Sequence, residues 1–348
     1  MITYSNAYWA DVDTAIGCIP GISSLFHTSI LITGATGMIC SSIVELLIRL
    51  NQKHSAEIRI FLAGRSQERM RQRFYNLTEG KDYTFIPYDA TKRQSLDVHT
   101  DYIIHGASNA NPAIYTKEPV ETMLANIIGL TNLLDAAVNA KSKRVLYISS
   151  SEVYGNIPEI RAYRETDYGY VDILNQRASY PSAKRAAETM CIAYAEEYGM
   201  DTVIVRPGHV YGPTITDSDS RASAQFTRNA AAHEDILMKS AGTQLRSYCY
   251  CLDCASAILT VLIKGQRGNA YNISNRNSIS TISDIAKALA EASGMCVKFE
   301  NASEAEKKGF NLMSNSSLDS TKLESLGWTA AFDLKQGARK TISFYSPS

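Results

Sequence analysis

From Ser29 onward the chain alternates short apolar runs with longer stretches whose apolar positions recur every three or four residues. Ile30-Leu31-Ile32 is short and has no polar face, which predicts a buried strand. A glycine-containing turn follows, and Ile43, Leu46, Leu47 and Leu50 then recur at helical spacing. The same reading predicts strands over 58–62, 83–86, 102–104, 145–148 and 202–205, with helices over 119–140 and 181–198. Strands separated by helices pair in parallel, because each crossover must carry the chain back across the sheet. The fold class expected is therefore α/β, a doubly wound parallel sheet over 29–205. After Pro213 the alternation loosens. Asp217–Ser220 reads as a loop, Ala270–Ile273 as a strand, and Thr281–Ala292 as a helix with Thr281 and Asp284 as a capping pair. Residues 206–348 are expected to form mainly a smaller α/β lobe, with some strands returning to the main sheet. Residues 1–28 lack the basic and apolar regions of a signal peptide and read as an N-terminal extension packed on the main domain.

Composition narrows the class of function. The 348 residues carry 35 Lys+Arg against 35 Asp+Glu, a net charge of zero. A general nucleic-acid binder needs an excess of cations to displace counterions, so nucleic acid is not an expected partner. No uninterrupted run of about 18 apolar residues occurs, so no membrane span is expected. The seven cysteines are odd in number and dispersed, which reads as reduced thiols in a cytoplasmic protein. Cys249-Tyr-Cys251-Leu-Asp-Cys254 reads as a strand running into a helix, with Cys as a small apolar residue. Nothing nearby completes a tetrahedral ligand set, so no metal is expected.

Two motifs carry chemistry. Thr33-Gly34-Ala-Thr36-Gly37-Met38-Ile39-Cys40 lies between a strand and a helix. Gly34 permits a tight turn, and Gly37 lets backbone amides approach a pyrophosphate at the helix N-terminus. That pattern points to a dinucleotide and a Rossmann-like sheet, with Cys40 at the position usually held by Gly or Ala. The acidic residue expected after the second strand is absent, and Arg65-Ser66 stands there instead. An Arg suits a 2′-phosphate better than a ribose diol, so NADP and NAD both remain open. The second motif is Tyr180-Pro-Ser-Ala-Lys184, whose Tyr and Lys share one helix face. An ammonium beside a phenol is expected to lower its pKa from about 10 and make Tyr180 a base for a substrate hydroxyl. Ser149-Ser150-Ser151-Glu152-Val-Tyr-Gly155, at the end of the preceding strand, adds a hydroxyl for the same substrate oxygen.

With those elements in order, residues 29 to about 345 resemble an extended short-chain dehydrogenase/reductase of the nucleotide-sugar epimerase/dehydratase family. The likeness extends to Asp89, His105-Gly106-Ala107-Ser108, Asn126, Arg206-Pro207-Gly-His209 and Arg246-Ser-Tyr-Cys-Tyr250. It implies that Ser150, Tyr180 and Lys184 carry hydride chemistry at a sugar C4. It places the dinucleotide on Gly34, Thr36, Gly37, Met38, Ile39, Arg65, Asp89, Ala90, Gly106, Ala107, Ser108, Asn126, Tyr180, Lys184 and Pro207. A nucleoside-diphosphate sugar is implied as substrate, held by Ser151, His209, Arg221 and Arg246. A homodimer built on helices 119–140 and 181–198 is implied as well. Arg177-Ala-Ser-Tyr180 and Gly242-Thr-Gln-Leu-Arg246 are similar to UDP-glucuronate decarboxylases. The 4,6-dehydratases typically carry Asp where this chain has Ser151, and simple C4 epimerases lack Glu152. Glu152 then acts on the 4-keto sugar. The decarboxylase leads; dehydratase, epimerase, 4-keto reductase and a non-catalytic dinucleotide sensor are the alternatives. Two departures stand out: His209 where the family commonly has Asn, and no Arg before Leu318-Asp319.

Overall fold

The computed structural model describes residues 4–216, 219–300 and 313–345. Asp217 and Ser218 of the expected 217–220 loop lie outside the described residues. The strands are β1 (Ser29–Thr33), β2 (Arg59–Gly64), β3 (Thr84–Pro87), β4 (Tyr102–His105), β5 (Arg144–Ile148), β6 (Thr202–Pro207), β7 (His209–Tyr211), β8 (Ile236–Met238), β9 (Leu245–Tyr250), β10 (Asn269–Ile273), β11 (Ile279–Thr281), β12 (Val297–Phe299) and β13 (Asn315–Ser316). The helices are α1 (Asn6–Gly17), α2 (Met38–His54), α3 (Gln67–Arg73), α4 (Pro112–Lys117), α5 (Pro119–Ala140), α6 (Ser179–Tyr198), α7 (Ala222–Ala231), α8 (Cys251–Lys264), α9 (Ile282–Ser293), α10 (Thr321–Glu324) and α11 (Leu334–Tyr345).

Seven strands form one parallel sheet in the order β3-β2-β1-β4-β5-β6-β10. The order reverses between β1 and β4, the place where open α/β sheets bind ligands. β1 is buried along its whole length, the continuous apolar pattern of a strand covered on both faces. Ile30, Ile32, Ile104, Leu146 and Val205 join α2 and α8 in one core. Leu31, Ile103, Val145, Tyr147 and Ile204 join α5 and α6 in the other. Alternation along each strand thus builds two cores from one sheet.

The last third is divided. β10 completes the main sheet and α8 packs beneath it, while β9 pairs with β7, β11 and β13 in a second sheet. α7, α9 and α11 pack together on that side, and the expected capping box of Thr281 and Asp284 starts α9. The N-terminal segment contains a full helix, α1, which lies across α2 and α8. Glu45 of α2, 2 % exposed, accepts hydrogen bonds from Tyr4 (2.7 Å), Tyr8 (2.5 Å) and Arg73 (2.7 Å). Asp13 takes a bidentate bond from Arg49 at 2.8 and 2.7 Å.

α5 is long and apolar enough to cross a bilayer by length and composition alone, as the core helix of a folded domain can also be. Counting consecutive apolar residues misses this, because Thr131, Asn132 and Asp135 interrupt the run without lowering its average far. Half of that window is buried, against β4, β5 and α6.

Candidate active site

The glycine turn closes the gap between two loops. Gly34 has φ +71°, and a Cβ there would lie 2.7 Å from the carbonyl carbon of Gly106. The loops after β1 and β4 therefore touch through two residues without side chains. Gly37 caps α2 without a side-chain hydrogen bond, so the first-turn amides of α2 have no side-chain capping oxygen from that position. Cys40 takes the third fingerprint position, and a Cβ on Gly106 would come 2.3 Å from its sulfur. The missing glycine is thus compensated across the sheet. Thr33 Oγ1 accepts from the amides of Gly106 and Ala107, both at 3.2 Å, and fixes that loop.

The catalytic motif assembles at the ends of β5 and α6. Ser150 caps the short turn 151–154 and accepts from the Glu152 amide at 3.2 Å. Tyr180 stands in the first turn of α6, buried, with its ring stacked on Tyr115 at 5.1 Å and 10°. Burial pushes the Tyr180 phenol up; the hydrogen bond with Ser150 and the charge of Arg221 pull it down, while Glu152 and Tyr115 add to the rise. This corrects the expectation that Lys184 holds the phenol below its ordinary value. Lys184 Nζ lies 5.7 Å from the centre of the Tyr180 ring and donates to the Ile148 carbonyl at 2.7 Å. Burial brings the Lys184 amine down to about 7.

Around this pair the substrate side is unevenly charged. Burial pushes the Glu152 carboxyl up, opposed by Arg177 and Arg246. Arg246 on β9 is 2 % exposed and donates to the carbonyls of Leu245 (2.8 Å) and Met313 (2.9 Å). His209 on β7 is brought down to about 3 by burial and by the charges of Arg246 and Arg221, so it is neutral at physiological pH. Its Nδ1 is buried without a hydrogen-bond partner.

A profile of the NAD dependent epimerase/dehydratase family matches residues 30–274. The chain belongs to that family. Among its relatives, UDP-glucuronic acid decarboxylase 6 of Arabidopsis thaliana is 30% identical over 262 residues, which is 75% of this chain and 73% of that protein. UDP-glucuronic acid decarboxylase 1 of Xenopus tropicalis is 28% identical over 318 residues, 91% of this chain and 72% of that protein. The solved UDP-N-acetylglucosamine 4-epimerase of Methanobrevibacter ruminantium superposes with a TM-score of 0.77 at 20% identity, covering 92% of this chain and 99% of that one. At that identity the likeness is one of fold.

Within this epimerase/dehydratase frame the site residues foreseen from sequence fall into two groups. Gly34, Thr36, Gly37, Met38 and Ile39 lie at the head of α2, with Gly106, Ala107 and Ser108 in the facing loop; Ser150, Glu152, Tyr180 and Lys184 lie beyond them. Ser151 follows Ser150 and is buried, Pro207 ends β6, and Ala90 packs where a Cβ on Gly129 would come 2.8 Å from its own Cβ. Other side chains are committed within the chain. Asn126 donates to Ser108 (2.9 Å) and to the Thr122 carbonyl (2.7 Å), and accepts from Tyr147 (2.8 Å). Asp89 accepts from the Thr91 amide and hydroxyl at 3.1 and 2.8 Å; against burial, these bonds and Lys92 hold its carboxyl below the usual range. Arg221 is gripped by both oxygens of Asp219 at 2.7–3.1 Å, a partner that sequence alone did not assign. Arg65 is exposed just past β2. Two residues were missed: Tyr115, and Arg177, which bears on both Tyr115 and Glu152. Helical spacing three residues before Tyr180 was a usable signal for Arg177; Tyr115 had none. Cys249, Cys251 and Cys254 are buried across β9 and α8, and no group of three or more metal-ligating side chains occurs among the described residues.

Proposed function

We propose that this chain oxidises a nucleoside-diphosphate sugar at C4 and decarboxylates the resulting 4-keto uronate, as a UDP-glucuronate decarboxylase does. The single observation that carries the reading is Glu152, half-buried next to Ser150, which accepts from its amide at 3.2 Å, and near enough to Tyr180, Arg177 and Arg246 for the charges to act on one another. The names of the decarboxylase relatives support it.

NAD fits the residues present. The Gly34–Gly106 approach leaves a cradle that a Cβ would fill, and the head of α2 presents to an anion amides that Gly37 leaves without a side-chain cap. The turn 34–39 and the loop 106–108 would hold the pyrophosphate and ribose, and Arg65 would meet the adenosine end. NAD, when bound, takes the hydride from C4 and returns it. Tyr180, hydrogen-bonded to Ser150, removes the proton of the 4-hydroxyl as the carbon is oxidised. The ketone so formed lies β to the carboxylate, and C5 can then lose carbon dioxide as the electron pair enters the enolate. Glu152, whose carboxyl is pushed up by burial against Arg177 and Arg246, delivers a proton to C5. Tyr180 returns its proton to the oxygen at C4 when the ketone is reduced. Arg246 faces the substrate anion as a buried guanidinium.

The dinucleotide in this reading is NAD, the compartment cytoplasmic and the assembly a homodimer. The seven free cysteines and the exposed apolar residues Val120 and Met123 on α5 and Ile192 and Tyr198 on α6 support the last two. The test is incubation with UDP-glucuronate, dTDP-glucose and UDP-hexoses, with products followed by mass. Loss of carbon dioxide from UDP-glucuronate is expected. Loss of water from dTDP-glucose, or a change of configuration alone, would replace decarboxylation by one of the other family reactions. No turnover with NAD still bound would leave a sensor.

A further inference from the structure

Lys184 is an amine buried without a carboxylate of its own. The nearest acid, Glu188 one turn along α6, gives both oxygens to Arg206, at 2.9 and 2.6 Å. The other titratable groups facing Lys184 supply no anion either. The Cys40 thiol of α2 is pushed up to about 12 by burial, and the Cys191 thiol of α6 is pushed up as well. Tyr180 keeps its proton, for the same reason of burial. His105 on β4 is brought down to about 3 by burial and by Lys184 itself, so it adds no competing cation. Three groups favour the charged amine: the Glu188 carboxylate, shared with Arg206, the Ile148 carbonyl at 2.7 Å, and the face of Tyr147, whose ring centre lies 4.7 Å from Nζ.

Tyr147 is well suited to that task. It is fully buried on β5, and its hydroxyl donates to Asn126 Oδ1 at 2.8 Å. Its ring stacks on His105 at 5.8 Å and 30°. Asn126 is held by Ser108 and Thr122, and His105 by Thr33 Oγ1 at 2.7 Å, so the ring is fixed from both ends. An aromatic face presents negative charge to a cation, and the attraction grows where water is excluded. No nucleotide-contacting role was expected of this residue from the sequence, because it reads as one more apolar position in a strand.

We propose that Tyr147 is a positioning residue that keeps Lys184 as an ammonium, through its ring face, beside the catalytic tyrosine. Without that face, desolvation would favour the neutral amine, which cannot assist proton removal at Tyr180. Burial brings the amine down to about 7 against the pull of Glu188, and the ring face adds its weight to the ammonium side of that balance. The sign is definite: weakening the ring face moves loss of the ammonium to lower pH.

The proposal rests on the dehydrogenase reading of the site, and the experiment separates the two. Phenylalanine and its mono-, di- and trifluorinated analogues are placed at position 147 of the full chain, with Tyr147→Phe as the reference. Fluorination drains the ring face and leaves its size nearly unchanged. The Lys184 ammonium is titrated by NMR in lysine-labelled protein, its signal identified by loss in Lys184→Met. The expected result is a graded shift to lower pH, about one unit across the series, a tenfold change in the ammonium-to-amine ratio. Where turnover is measurable, the alkaline limb of kcat shifts in parallel. A Lys184 titration indifferent to fluorination overturns the proposal. A graded shift in a protein that turns over no nucleotide sugar upholds it and rejects the dehydrogenase reading alone.

Discussion

At the scale of single residues, burial sets the chemistry of this site more than neighbouring charge does. The phenol of Tyr180 rises despite a lysine one turn away, because the ammonium faces Ile148 and Tyr147. Its work as a base therefore depends on the charge that the substrate and the dinucleotide bring. Tyr180→Phe is expected to cut turnover by about 10²–10⁴-fold, measured by steady-state kinetics. Glu152→Gln separates the two halves of the reaction. Oxidation at C4 should persist while release of carbon dioxide and protonation at C5 fall, so a reduced-nicotinamide absorbance builds up on mixing with UDP-glucuronate. An unchanged product yield in that variant would remove Glu152 from the mechanism. Tyr180, Lys184, Ser150 and Glu152 were legible in sequence because they form two short local patterns. Tyr115 was not, since α4 meets α6 only once the sheet is formed.

At the scale of elements, the main crossovers follow the apolar pattern, whereas α1 and its anchor do not. α1 is held by a carboxylate, Glu45, that shares its oxygens among two tyrosines and an arginine drawn from three segments. The pair Arg73–Glu45 has side-chain exposures of 8% and 3%, so it is scarcely screened. Removing one member strands a buried charge. Glu45→Ala is expected to lower stability by about 3–5 kcal/mol, against about 1 kcal/mol for Tyr8→Phe, which loses one neutral donor. Urea unfolding of both variants checks the order. Equal midpoints would mean that α1 is held by apolar contact alone. Arg73 belongs to α3, which starts directly after Arg65-Ser66, so the same anchor also ties down that helix. In the sequence Arg73 reads only as the last of a basic run, and nothing local says that its partner lies 28 positions away.

At the scale of the molecule, one sheet divides two cores, and its open end gathers the loops that hold the site. The exposed apolar residues of α5 and α6 predict an assembly: Ile192→Glu should turn a dimer into a monomer in analytical ultracentrifugation, with the fold retained by circular dichroism. A parent protein that sediments as a monomer would refute the homodimer. By itself the sequence determined the order of strands and helices, the parallel sheet, the glycine turn and the Ser–Tyr–Lys motif. All of these depend on residues close together in the chain, through periodicity, turn geometry and helical spacing. Only the tertiary structure decided which charges survive. It gave Arg221 to Asp219, put Cys40 against Gly106, raised the Tyr180 phenol and set the ring of Tyr147 under Lys184. Those outcomes depend on exclusion of water and on partners brought in from other elements, and neither quantity is written in any local stretch of sequence.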